Sequence, residues 1–121
     1  MKHEQKEIII DNKKVLVDID CILLVDLFNK QGLKTYMCCQ GNGNNASPFR
    51  IIFDISITDD NIAEFIKPYL NKYGHSNLTG RFIKWGRFIN NKIQYNWMYE
   101  NYNKTYADLD YNRFISHLVE E

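Results

Sequence analysis

Apolar positions alternate with polar ones along some stretches of this chain and recur at three and four along others. Residues 7–10 and 15–18 read as two short strands around the polar turn Asp11-Asn12-Lys13-Lys14, together a hairpin. Ile19, Leu23, Leu24, Leu27 and Phe28 then recur at helical spacing. They predict a helix to about Lys30, capped by Asp18 or Asp20, with one face buried. Gly32 sits where a helix commonly ends in the left-handed conformation. Residues 34–39 read as a strand entering a glycine-containing loop over residues 40–48, and residues 49–57 as the strongest strand. A helix from Thr58 to about Tyr73 follows, with Ile62, Phe65, Ile66, Tyr69 and Leu70 on one stripe. Pro68 should kink or divide it, and Gly74 should end it. Residues 81–89 and 93–99 form a second hairpin around Asn90-Asn91-Lys92. Thr105 with Asp108 resembles a capping box for a last helix with Leu109, Phe114, Ile115 and Leu118 inward. The order ββαββαββα predicts an α+β fold: a two-layer sandwich with a mostly antiparallel mixed sheet and helices on one face, in a single domain spanning 1–121.

Side chains alternate across a strand, so parity assigns faces. With a two-residue turn, Phe82, Lys84, Gly86 and Phe88 share a face with Ile93, Tyr95, Trp97 and Tyr99. This aromatic face is assigned to the core, with Gly86 leaving room for Trp97 or Tyr95 to lie across it. Arg81, Ile83, Trp85 and Arg87 share the other face with Gln94, Asn96 and Met98. In the strand after the loop, Phe49, Ile51, Phe53 and Ile55 should meet the helices, leaving Arg50 to join the open face. Arginine forks match phosphate, and tryptophan stacks on a base. The plainer alternatives are a salt bridge from Arg50 to Asp54 or a dimer interface.

Composition narrows the class. Fifteen basic and fifteen acidic residues cancel, which argues against a protein that works mainly by gripping nucleic-acid phosphates. No apolar run reaches the roughly 18 residues of a membrane span, and the polar start is not a signal peptide. Asn, Ile, Lys and Tyr make up about 40% of the chain, a bias typical of A/T-rich genomes. Three cysteines, two of them adjacent, do not read as a disulfide framework, so a reducing cytoplasm is the expected compartment. Cys38 and Cys39 should point to opposite faces, one buried and one towards the loop. His3, His75 and His117 lack metal-ligand spacing, and no metal or other cofactor is implied.

The most unusual stretch is Thr35-Tyr36-Met37-Cys38-Cys39-Gln40-Gly41-Asn42-Gly43. Backbone amides in such a loop form anion-binding nests, and Gly41 and Gly43 admit a ligand close to the backbone. The candidate ligand-binding residues are therefore Cys39, Gln40, Gly41, Asn42, Gly43, Arg50, Arg81, Trp85 and Arg87, with no catalytic residue assigned.

Leu27-Phe28-Asn29, Gly32-Leu33-Lys34-Thr35, Cys38-Cys39-Gln40-Gly41-Asn42-Gly43 and Pro48-Phe49-Arg50-Ile51-Ile52-Phe53 together resemble a group of small phage and prophage proteins. That group carries asparagine, a glycine or proline turn, threonine, a Ser-Cys-x-Gly-His-Gly loop and then Pro-aromatic-x-Ile-x-Phe. The likeness covers roughly residues 18–54, with Cys38 in place of the group's serine and Asn42 in place of its histidine. The Cys-x-Gly core is also similar, over a shorter stretch, to the wybutosine-synthesising methyltransferase family, which modifies tRNA.

A phage context implies counter-defence in the host cytoplasm. The first expectation is a non-catalytic protein that sequesters a small anionic, base-containing ligand, such as a cyclic nucleotide or an ADP-ribose derivative. The second is a module that binds a host protein. The third is an RNA-modifying or thiol enzyme using Cys39. Ile83, Trp85, Ile89 and Met98 make the open face too apolar for a plain solvated surface, so a homodimer is expected, with the site close to the subunit boundary.

Overall fold

Residues 5–10, 13–18, 21–39 and 48–120 are described by the structure, a computed structural model. The elements are β1 (Gln5–Ile10), β2 (Lys13–Asp18), α1 (Ile22–Lys30), β3 (Thr35–Cys39), β4 (Phe49–Phe53), α2 (Asp59–Ile66), a 3₁₀ turn (Lys67–Tyr69), β5 (Arg81–Ile89), β6 (Lys92–Asn101) and α3 (Lys104–Glu120). Strands β1 and β2 form a two-stranded antiparallel sheet. The other four pair in the order β3-β4-β6-β5, antiparallel throughout. This is the expected α+β order. The proline at 68 divides the second helical stretch into α2 and the 3₁₀ turn, because it cannot donate the next helical hydrogen bond.

The core lies between one face of the four-stranded sheet and the helices. Phe49, Ile51, Phe53 and Tyr99 from the sheet are fully buried, as are Phe28 from α1 and Phe114 from α3, with Ile62 of α2 beside them. Phe28 is the hub: its ring meets those of Phe53, Phe65, Phe82, Tyr99 and Phe114 at 5.1–6.1 Å, mostly edge to face, the arrangement aromatic quadrupoles favour. Asn29 ties α1 to β3. It donates to Thr35 Oγ1 at 2.9 Å and accepts from Thr35 N at 3.2 Å, clamping the turn that Gly32 makes at φ +83°.

Several local expectations are corrected. Cys21, and not Asp18 or Asp20, stands at the N-cap position of α1, without a side-chain cap; Asp18 is the last residue of β2, and Asp20 lies outside the described residues. Leu23 faces solvent and Val25 takes the buried place. At α3, Asn103 rather than Thr105 accepts the first-turn bond, from Tyr106 N at 3.1 Å. Leu109 and Ile115 face outward. The buried stripe is Ala107, Asp110 and Phe114, three and four apart. Two of the cysteines are also joined: Cys21 and Cys38 form a disulfide across 17 positions, which links the start of α1 to β3. The spacing of three cysteines gave no sign of that pairing.

Candidate functional site

The two-residue turn at Asn90-Asn91, with φ of 52° and 64°, sets the β5–β6 register that the parity argument assumed. Arg81, Ile83, Trp85 and Arg87 therefore share the face turned away from the helices with Gln94, Asn96 and Met98, but Asn96 and Met98 are buried there, so the face is not open along its whole length as expected. Tyr95 lies over Gly86, where an added Cβ would meet its ring at 3.1 Å. Register places Cys39, Arg50, Glu100 and Arg81 in one row across all four strands.

Glu100 was not foreseen, and it organises this row. Arg50 Nε donates to Glu100 Oε2 at 3.0 Å, and Arg81 Nη2 donates to Oε1 at 2.6 Å. The anticipated Arg50–Asp54 pair is absent; Asp54 instead accepts from Ser56. Burial pulls the Glu100 carboxyl upward, but the hydrogen bonds and charges of Arg81 and Arg50 outweigh it and hold the group below the ordinary glutamate range. Two cations on one anion leave a net positive charge at this end of the face.

Beside the row opens a pocket of about 330 Å³, lined by Pro48, Thr79, Arg81, Glu100, Asn101 and Tyr102. Its back wall is fixed by Asp110, which is fully buried on α3. Asp110 accepts from Thr79 N and Gly80 N at 2.8 Å each, from Tyr99 OH at 2.6 Å and from Thr79 Oγ1 at 2.9 Å. Asn101 Nδ2 completes the cluster by donating to Tyr99 OH and Thr79 Oγ1, each at 2.9 Å. A buried carboxylate needs such donors in place of water. The network pins the segment before β5 to α3, and with it the base of Arg81. Asp110 was legible only in hindsight, as a polar residue on the stripe of Ala107 and Phe114.

The remaining expected residues lie elsewhere. Arg81 and Arg87 are six positions apart on one strand, roughly 20 Å. Arg87 belongs to a second cluster, its guanidinium 5.1 Å from the Tyr36 ring and 5.8 Å from the Trp85 ring. The expected set therefore divides into an arginine–glutamate end with Cys39, Arg50 and Arg81, and an aromatic end with Trp85 and Arg87. Cys39 is a free, exposed thiol, whereas Cys38 turns to the core side. Gln40, Gly41, Asn42 and Gly43 lie outside the described residues; Pro48, at the pocket rim, is the first described residue after them. Among the described residues no group of three or more His, Cys, Asp or Glu is placed to hold a metal, and no helix is long and apolar enough to cross a membrane. No family model, curated protein or solved structure matches the chain.

Proposed function

We propose that the chain is a non-catalytic binding protein for a small anionic, base-containing ligand, and that it sequesters a nucleotide signal, a cyclic nucleotide or an ADP-ribose derivative, in phage counter-defence. One observation carries the reading: two arginines from different strands meet over a single glutamate beside a 330 Å³ pocket. Glu100 engages only Nε of Arg50, which leaves the terminal guanidinium nitrogens for an anion. The pocket favours binding over catalysis. Its one hydroxyl from a threonine, that of Thr79, lies within hydrogen-bond reach of the Asp110 carboxylate and the Tyr106 carbonyl, with no histidine among the lining residues. Calorimetry against cyclic mono-, di- and trinucleotides and cyclic ADP-ribose isomers tests the reading. The expected result is saturable binding that Arg81→Ala weakens about tenfold or more, the loss of one charge-assisted contact. No binding across the panel refutes it.

A second reading, an interaction module that docks on a host protein or on a second copy, is favoured by the exposure of Tyr36, Met37 and Trp85 on the open face. Light scattering separates the two. A homodimer that Trp85→Glu dissociates supports the module, since that change puts an unpaired charge into the contact. A monomer at all concentrations counts against self-association.

A further inference from the structure

Strands β5 and β6 outrun the sheet that supports them. The last β4–β6 rung is Ile52–Met98, and beyond it Asn96 Nδ2 still reaches Phe53 O at 2.9 Å. From there to Ile89–Lys92 the two strands pair with each other alone. Helical cover stops at the same level. Asp59, in the first turn of α2, accepts from Trp97 Nε1 at 2.8 Å and pairs with Lys84 Nζ at 2.9 Å. Past that point Phe88, Tyr95 and Ile93 are 77%, 56% and 50% exposed, although parity puts them on the core side. The distal hairpin is a two-stranded ribbon with Phe88 and Tyr95 exposed on one face; on the other, Trp85 is partly exposed beside Arg87, whose guanidinium packs on the Tyr36 ring, and Asn96 is buried.

The ribbon is also charged in one sense. Residues 81–99 contain Arg81, Lys84, Arg87 and Lys92 and no Asp or Glu, within a chain balanced at fifteen and fifteen. Glu100 and Asp59 neutralise Arg81 and Lys84 at the base. Arg87 and Lys92, further out, have no carboxylate partner among the described residues. Whole-chain neutrality therefore conceals a basic, aromatic projection.

We propose that this ribbon binds single-stranded nucleic acid, with phosphates at Arg87 and Lys92 and bases stacked on Phe88, Tyr95 and Trp85. Arg87 and Lys92 share the Trp85 face, with Arg87 packed on the Tyr36 and Trp85 rings, while Phe88 and Tyr95 lie on the other face; a flexible unpaired strand that wraps the ribbon edge offers phosphates to the first and free π-faces to the second. A duplex hides its base faces, and an acidic peptide would engage the charges but leave the rings unused. This site lies at the other end of the sheet from Arg50 and Arg81 and does not depend on the pocket.

The test is fluorescence anisotropy of the intact chain with labelled oligothymidylate and oligouridylate of about 12 nucleotides. At about 50 mM salt both should bind, with a log–log salt slope of roughly −1.4 for two phosphate contacts on a single strand. Binding should quench Trp85, and Trp85→Phe, which leaves Trp97 as the remaining tryptophan, should abolish the quench. Arg87→Glu combined with Lys92→Glu should weaken binding at least about tenfold while circular dichroism stays unchanged. No binding at low salt overturns the proposal, and so does unchanged affinity in the double variant. Equal affinity for a blunt duplex overturns the stacking role. Equal affinity for polyglutamate overturns it in favour of an acidic protein partner.

Discussion

Tyr99 donates its hydroxyl proton to Asp110 across 2.6 Å, and neither residue reaches solvent. The pair joins the central strand β6 to α3. Burial, and then the neighbouring carboxylate, push the Tyr99 hydroxyl well above the ordinary tyrosine range.

That raised value fixes the sign of the alkaline response. An unfolded tyrosine ionises at about 10, while the folded one keeps its proton beyond that. The stabilisation from Tyr99 is complete below about pH 10 and is lost as pH rises further, because the unfolded chain releases its proton first. In urea titrations Tyr99→Phe should cost about 1–2 kcal/mol at neutral pH. The gap to the parent should narrow above about pH 10. A gap independent of pH would contradict this account of Tyr99.

Gly80 and Gly86 should respond differently to the same change. A Cβ on Gly80 would lie 2.6–2.7 Å from the ring and hydroxyl of Tyr99, which the Asp110 network holds in place. Gly80→Ala should lose about 2 kcal/mol or more, measured by denaturant midpoint. At Gly86 the obstacle is the exposed Tyr95 ring, which can swing away, so Gly86→Ala should change stability by less than about 0.5 kcal/mol.

Glu100 gives the opposite pH sign. Its folded value is depressed, so its contribution is present above the ordinary glutamate value of about 4.3 and is lost as pH falls through the folded value. Glu100→Gln should cost about 1 kcal/mol at neutral pH, a modest figure because both arginines are substantially solvated. Stability curves of variant and parent should converge as pH falls below the depressed folded value of Glu100. Curves that stay parallel throughout the acid range would remove Glu100 from the arginine row.

The disulfide makes a mass-spectrometric prediction. Before reduction, alkylation should label Cys39 alone; after reduction it should label all three cysteines. Cys38→Ser should lower stability by about 3 kcal/mol, the chain-entropy estimate for a loop of this size. Labelling at Cys21 in the unreduced protein would show that the bond does not form.

Element order and the β5–β6 faces were legible in the sequence, because a two-residue Asn-Asn turn leaves one register for the alternating strands around it. The site was legible only in part. Arg50 and Arg81 were singled out, but Glu100 was not, since pairing across three strands depends on register between segments far apart in the chain. Periodicity also placed Phe88 and Tyr95 in the core. It cannot reveal that β4 and α2 stop short and leave those side chains uncovered. Leu109 and Ile115 were misplaced because the Asp110 cluster, not apolar spacing, sets which stripe of α3 faces inward.

The strand order β3-β4-β6-β5 carries a kinetic consequence. Each outer pair is a neighbour in sequence and can close locally, but the β4–β6 seam joins segments separated by α2, the 3₁₀ turn, the loop after it and β5. Closing that seam bears the largest entropic cost, so it should set the folding rate. Trimming Ile51 or Tyr99, which face each other across the seam, should slow refolding. Trimming Ile93 at the tip of the ribbon should leave the refolding limb of the chevron unmoved.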